Sequence, residues 1–452
     1  MTEYVACKGN TVRTCWAGET VRTSLQGIAN KAKADPKHRF QNLFGMIDKE
    51  MLLDSWKYLN KKAASGVDKV SAREYEHDLE GNIERLVERL KGKSYRAKLV
   101  RRQYIPKANG KLRPLGIPAI EDKLLQCVVA RILQGIYEQD FLPCSFGYRD
   151  GVGAQDAVRT LTGKLFHGSY GYVVEADIKG FFDHMSHEWI ERMLNERIDD
   201  KSLIWLIRKW LKAGVLDTDG RVILPEMGSP QGGIISPVLS NVYLHYALDL
   251  WFERIVKPGC KGDAYLCRYA DDYVCLFQHK GDVEWFFQSL GPRMGKFGLE
   301  LAPDKTKILS FSRFRKCEKT CFEFLGFEFC WGLSRDGKDV VIRRTSPKKL
   351  RRALADFTEW CKKNRHLPSK RFFRILKAKL RGHFNYYGVI GNFVNLQRYY
   401  FEALRIVFKW HNRRSQRRSR TWLGFTALLE HFNVPKPRIV ERLSGSKAAC
   451  LA

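Results

Sequence analysis

The chain has 452 residues, 44% of them hydrophobic, enough for two or three domains with real cores. Its 79 Lys and Arg against 49 Asp and Glu leave a formal charge of +30, which points to a polyanionic partner, either nucleic acid or an anionic membrane surface. No apolar run approaches the ~20 residues of a bilayer span, and the N-terminal M-T-E-Y-V-A-C-K-G-N lacks the apolar core of a signal peptide. The expectation is a soluble, cytoplasmic protein. Twelve cysteines are scattered without any C-x-x-C, and Cys317 and Cys321 have no neighbouring His or Cys pair. Buried, reduced thiols are expected rather than zinc ligands. The H-x-x-H of His184 and His187 reads as two exposed or capping histidines.

Residues 1–38 show little periodicity and read as a flexible arm or short helices. Phe40–Leu59 carries apolar residues at helical spacing, and a second amphipathic helix is expected over Glu74–Leu90, with Leu79, Ile83, Leu86, Val87 and Leu90 on one face. In R-R-Q-Y-I-P-K-A-N-G-K-L-R-P-L-G-I-P (101–118), Asn109-Gly110 signals a hairpin turn flanked by Lys107 and Arg113. Such a basic hairpin is either a solvated edge or a grip on phosphate oxygens, with Arg forking and Lys a point charge. A buried helix is expected over Asp122–Glu138, followed by the Gly-rich bend S-F-G-Y-R-D-G-V-G. That bend is not a Walker loop.

Tyr172–Asp177 (Y-V-V-E-A-D) reads as a buried strand ending in a carboxylate, before I-K-G-F-F-D-H. Helices are expected near Glu188–Arg197 and Leu203–Leu211. In G-S-P-Q-G-G-I-I-S-P-V-L-S-N-V-Y-L, a tight turn presents Gln231, and Ser236 is placed to cap a helix starting at Pro237. Tyr265–Phe277 (Y-L-C-R-Y-A-D-D-Y-V-C-L-F) reads as strand, turn and returning strand, with Asp271 and Asp272 at the tip. Asp-Asp also fills ordinary polar turns. Adjacent carboxylates repel unless positive charge lies between them, and oxygen-only ligands suit Mg²⁺. With Asp177 beside them they would surround two cations, as in two-metal phosphoryl transfer. A helix at Val283–Phe297 leads to P-D-K-T-K, and F-E-F-L-G-F-E-F (322–329) alternates as one hairpin arm.

Residues 341–452 hold 27 Lys and Arg against five Asp and Glu, a net of +22. Leu376, Leu380, Phe384 and Tyr387 form one helical stripe, and Leu396, Tyr400, Leu404, Val407 and Phe408 another. Basic residues fill the intervals and end in H-N-R-R-S-Q-R-R-S-R, where Arg413, Arg414, Arg417 and Arg418 read as a nucleic-acid surface.

Y-A-D-D on a hairpin resembles the palm hallmark of reverse transcriptases. From about Phe40 to Pro437 the chain resembles bacterial group II intron reverse transcriptases, also called intron maturases. The resemblance rests on I-P-K…R-P-L-G-I-P, S-F-G-Y-R, A-D-I-K-G-F-F-D, P-Q-G-G-I-I-S-P-V-L-S-N-V-Y-L, Y-A-D-D, P-D-K-T-K and F-L-G-F, in that order, with R-G-H-F-N-Y-Y-G where the family has its thumb.

The resemblance implies an α+β right-hand polymerase architecture, fingers and palm with an antiparallel sheet, then an α-helical thumb (domain X). Residues 1–38 would be an N-terminal extension, 39–335 fingers and palm, 336–435 the thumb and 436–452 a short tail. It implies RNA-directed DNA synthesis and assistance to intron splicing and mobility. Asp177, Asp271 and Asp272 match the metal-binding aspartates, with the Ile178 carbonyl a further ligand. The cofactor would be two Mg²⁺ ions, with Mn²⁺ as substitute. Lys107 and Arg113 match the residues that hold the incoming dNTP, Phe182 the aromatic gate against a 2′-hydroxyl, and Gln231 a glutamine at the nucleotide. Lys305 matches the lysine that protonates pyrophosphate, with Lys307 close enough to compete.

The partners implied are group II intron RNA, an RNA template with DNA or RNA primer, and target DNA; homodimerisation is left open. The chain lacks the Cys-rich endonuclease of many members, so an endonuclease-lacking type is expected. Two alternatives stand beside this reading: a domesticated reverse transcriptase in phage defence, CRISPR spacer acquisition or repair, and an RNA-binding splicing factor without polymerase activity.

Overall fold

A computed structural model describes residues 19–106, 110, 112–229, 232–314, 320–334, 336–413 and 420–441. Lys107, Gln231, Arg414, Arg417, Arg418 and the first 18 residues lie outside the described set. The strands are β1 (Val100–Pro106), β2 (Leu112–Ile117), β3 (Tyr172–Asp177), β4 (Val215–Leu216), β5 (Val222–Ile223), β6 (Ala264–Tyr269), β7 (Asp272–Phe277), β8 (Lys307–Ser310), β9 (Cys321–Phe324), β10 (Phe327–Leu333) and β11 (Asp339–Thr345). They form sheets of order β2-β1-β4-β5, β6-β7-β3-β8 and β11-β10-β9, so the molecule is a mixture of helix and sheet. The chain divides into two compact units, Met1–Gly153 with Ala176–Lys307, and Ala154–Glu175 with Ile308–Ala452.

In the first unit, the helix Ile120–Tyr137 is apolar nearly all round and correspondingly buried. The helix Glu19–Ala34 lays Val21, Leu25, Ile28 and Ala32 against it. That helix gives part of residues 1–38 a defined structure. Several polar side chains of the central helix are paired, as burial demands, although Gln134 Oε1 has no partner among the described residues. Arg131 donates to Asp54 at 2.9 Å, Asp122 accepts from the Tyr95 hydroxyl and the Lys98 amide, and Gln126 accepts from the Ile234 amide.

Two expected helices are shorter or broken. Phe40 bridges to Ile198 as extended chain, and the helix starts only at Lys49, where Asp48 accepts from the Met51 amide. Over 74–90 the helix is split into Ala72–Glu76, opened by a Ser71/Glu74 capping box, and Leu79–Lys91. Ser236 is not a cap. It is the first helical residue, and its hydroxyl pairs with that of Ser229 at 2.8 Å.

In the second unit, F-E-F-L-G-F-E-F is a whole hairpin rather than one arm. Leu325 and Gly326, at φ 51° and 81°, make the two-residue turn between β9 and β10. Cys321 and Cys330 face each other across it, Cα atoms 4.6 Å apart, and are joined as a disulfide. The expectation of reduced thiols fails for this pair because a non-hydrogen-bonded cross-strand site brings side chains to bonding distance. Cys127, Cys144, Cys260, Cys267, Cys275 and Cys361 are free. The helices Pro347–Asn364, Ser369–Tyr387, Phe393–Asn412 and Trp422–His431 share one core, in which Phe373, Leu376, Leu380, Leu396 and Val407 are inaccessible to solvent. No helix among the described residues is long and apolar enough to cross a membrane.

Candidate active site

β6 and β7 pair antiparallel with Tyr269 opposite Asp272, so Ala270 and Asp271 form the turn. Ala270 is left-handed at φ 57°. For a residue with a Cβ that conformation costs about 1–2 kcal/mol, so the surroundings must enforce it. Gly147, from S-F-G-Y-R, packs against it so closely that a Cβ there would lie 2.2 Å from the Ala270 nitrogen. Only glycine allows that approach. The turn leaves Asp271 half-buried and Asp272 exposed.

Asp177 ends β3. The chain beyond it is stitched to a returning segment by the Ile178–Leu301 bridge, with the Lys179 amide donating to the Glu300 carbonyl and the Ala302 amide to that of Asp177. This bridge does not use the Ile178 carbonyl. The returning segment makes a 3₁₀ turn at Pro303–Lys305, which puts the Lys305 ammonium 2.5 Å from Asp177 Oδ2. Sequence alone left Lys305 and Lys307 in competition; Lys305 forms an ion pair with this carboxylate.

The electrostatics join these pieces. Burial holds the Asp271 carboxyl above its usual range, and the negative charge of Asp177 pushes the same way. Its own backbone amide, Arg113 and Lys305 pull it down. The hydrogen bond to Asp177 raises the Lys305 ammonium. Arg113 lies on β2 opposite Ile105, exposed, yet near enough to act on Asp271. Tyr148, at φ 57°, has its phenol pushed up to about 12 by burial and then by Asp271. Sequence reasoning passed over Tyr148; its only signal was its place beside the Gly147 that fits the turn.

Phe182 stands on the short helix Phe181–His184, which follows Gly180 at φ 56°. Its ring is half-buried, and its carbonyl accepts from the Ser229 amide at 2.8 Å. Met185 likewise accepts from the Gly228 amide, and His187 Nε2 bonds the Gly228 carbonyl at 2.7 Å. His184 Nδ1 bonds the Gly180 carbonyl at 2.9 Å. Both histidines hold backbone carbonyls, and His187 is buried rather than exposed. A Cβ on Gly228 would lie 2.7 Å from the Asp183 carbonyl, and one on Gly232 2.5 Å from that of Gly116 in β2. The flanks of Gln231 are therefore pinned to the segment bearing Phe182 and to the basic hairpin. Of the four C-terminal arginines only Arg413 is described, with its guanidinium 5.3 Å from the Trp410 ring centroid.

A tight hairpin turn thus brings Asp271 and Asp272 into the electrostatic company of Lys305, which pairs with Asp177, and sets Arg113 near enough to act on Asp271. A model of the reverse transcriptase (RNA-dependent DNA polymerase) family matches residues 105–329, and the chain belongs to that family. Its relatives place it with group II intron-encoded proteins and intron maturases. It is 31% identical to Protein YkfC of Escherichia coli (strain K12), over 73% of this chain and 94% of that protein. It is 42% identical to the group II intron-encoded protein LtrA of Lactococcus lactis subsp. cremoris, over 37% of this chain and 27% of LtrA. A putative COX1/OXI3 intron 1 protein of Saccharomyces cerevisiae is 35% identical over 37% of this chain and 20% of its own length. The chain thus spans only about a quarter of LtrA.

Proposed function

We propose that this reverse transcriptase extends a DNA or RNA primer on an RNA template with dNTPs by two-metal phosphoryl transfer, and binds the RNA of a group II intron to assist its splicing and mobility. The observation that carries the reading is the company kept by Asp271: a strained turn holds it where Asp177 raises its carboxyl and where Arg113 and Lys305 counter that effect. The donor set is all oxygen, Asp177, Asp271, Asp272 and the Ile178 carbonyl, and its mutual repulsion calls for compact positive charge. These residues fit two Mg²⁺ ions, with Mn²⁺ as substitute, which would supply Lewis acidity at the attacking and leaving oxygens.

The chain's own groups do the rest. Arg113, with Lys107 on the same hairpin, orients the triphosphate. Phe182 closes the space beside the sugar, and Gln231 sits at the nucleotide. Lys305 keeps an ammonium proton at the carboxylate cluster for the leaving pyrophosphate. In domain terms, residues 39–335 are proposed as fingers and palm of a right-hand polymerase and 336–435 as thumb. The test is Asp271→Asn and Asp177→Asn in primer extension on a primed RNA template. Both variants should lose incorporation by more than about a thousandfold, because a neutral amide is a poor Mg²⁺ ligand, while RNA affinity holds. Near-normal extension by either variant would overturn the assignment.

A further inference from the structure

We propose that Arg268 is a positioning residue for the Asp271–Asp272 turn, acting through an enclosed frame of Asp249, Asn241 and Ser145. This inference rests on the polymerase reading above and deepens it. Arg268 sits on β6, in a strand otherwise apolar or aromatic, and both it and Asp249 are 0% exposed. Every one of its donors is used. Nε and Nη2 fork onto Asp249 at 2.7 and 2.5 Å, Nη2 also reaches Ser145 Oγ at 2.7 Å, and Nη1 donates to Asn241 Oδ1 and to the Ala270 carbonyl, both at 3.0 Å. The last bond holds the left-handed residue of the turn, directly before Asp271.

The frame also holds the other side of the turn. Asn241 Nδ2 donates to the Gly147 carbonyl at 2.7 Å. The Arg268 amide donates to Cys144 and its carbonyl accepts from Phe146, so that Cys144–Phe146 runs alongside β6. Gly147 then meets the Ala270 nitrogen. Asp249 comes from a π-helical stretch, His245–Asp249, within a helix that is α-helical at Asn241. A π turn re-aims the side chains that follow it. Here it delivers a carboxylate to the guanidinium while Asn241 stays in reach.

A buried ion pair is a poor device for stability alone, because apolar residues of similar volume often serve as well. What the fork supplies is fixed direction. One arm of that fixed group ends on the strained carbonyl that sets where two metal-binding carboxylates point.

The experiment uses the full chain in primer extension on a primed RNA template, with Mg²⁺ titrated and primer–template affinity and thermal unfolding measured in parallel. Arg268→Lys keeps the charge and loses the fork. Its kcat should fall about tenfold or more and its half-saturating Mg²⁺ should rise about threefold, with primer–template Kd within about twofold of the parent. Ala270→Gly needs no strain, so it should unfold no earlier than the parent and still demand more Mg²⁺. That pairing separates positioning from stability and carries the test where Arg268→Lys does not fold.

Ser145→Ala, which removes one arm away from the turn, should shift the Mg²⁺ requirement in the same direction by less. A purely structural pair would lower the unfolding temperature and leave the Mg²⁺ dependence at the parent's value in all three variants, and that result overturns the inference. Asp271→Asn is run beside them. If it extends primers normally the polymerase reading fails; if it is inactive while the Arg268 and Ala270 variants keep the parent's Mg²⁺ curve, only the role given to Arg268 fails.

Discussion

Two adjacent phenylalanines illustrate how position decides a side chain's work. Phe181 is 2% exposed, its ring edge-on to Tyr243 at 6.1 Å, and it serves the core. Phe182 is half-buried, with its backbone fixed by Ser229 and its ring edge-on to Phe181 at 5.4 Å. Of the two, only Phe182 keeps appreciable accessible surface, and it is the one proposed to meet the ribose. Phe182→Ala should therefore raise the ratio of rNTP to dNTP incorporation efficiency by about tenfold to a hundredfold, the range for one steric contact in a pocket. Competition assays with paired nucleotides read that ratio directly, and an unchanged value would remove the gate from this residue. Phe181→Ala should instead cost about 3–5 kcal/mol of stability, seen as a shifted denaturation midpoint.

At the scale of elements, the helix Ser369–Tyr387 carries its own pH sensitivity. His383 stacks on Tyr399 with ring centroids 3.5 Å apart, and its Nε2 finds no hydrogen-bond partner among the described residues. Burial depresses its pKa to about 3. The unfolded chain therefore takes up this proton first, near the ordinary value of about 6.5, and stability is lost as pH falls from there toward the folded value. At about 1.4 kcal/mol per pH unit, unfolding at pH 4.5 should be easier than at pH 7 by roughly 2–3 kcal/mol on this account. His383→Phe keeps the stack and removes the titration. Denaturation at both pH values should show a smaller acid loss in the variant than in the parent, and equal losses would refute the assignment.

Such a histidine is invisible in R-G-H-F-N-Y-Y-G, because period and composition do not reveal which partner a ring meets. The same limit explains what else was missed. Alternation and turn residues made β6 and β7 legible, since a two-residue hairpin is a local object. Helical spacing over Phe40–Leu59 could not reveal that Phe40 would pair with Ile198, more than 150 positions away in sequence. Asp177, Asp271 and Asp272 stand out by their places at strand ends together with the Y-A-D-D resemblance, since Asp-Asp by itself reads equally as a polar turn. Arg268 does not, because its meaning depends on Asp249, 19 residues back, and on a π turn that no spacing rule marks.

Charge is distributed over the whole molecule unevenly, with a net +22 in residues 341–452 out of +30. The helix Ser369–Tyr387 turns that excess into a surface. Phe372, Phe373, Leu376, Leu380 and Phe384 are buried along one face. Lys370, Arg374, Lys377 and Arg381 recur at intervals of four, three and four on another, all exposed except Lys377, which is half-buried. A helix built this way has its apolar side committed to the core and its basic side available to a phosphate backbone. Changing these four residues to Gln leaves the buried stripe intact, so folding should be preserved. RNA affinity should fall, and the slope of log affinity against log salt should flatten by about three, since each lost phosphate contact removes roughly 0.7–0.9. The carboxylates and Arg113 are untouched, so turnover at saturating primer–template should stay within about twofold of the parent, whereas Asp271→Asn should show the reverse, no turnover with the full salt slope. Titrations at several salt concentrations on both variants check this crossing pattern, and a quadruple variant with the parent's slope would show that RNA is held by some other face of the chain.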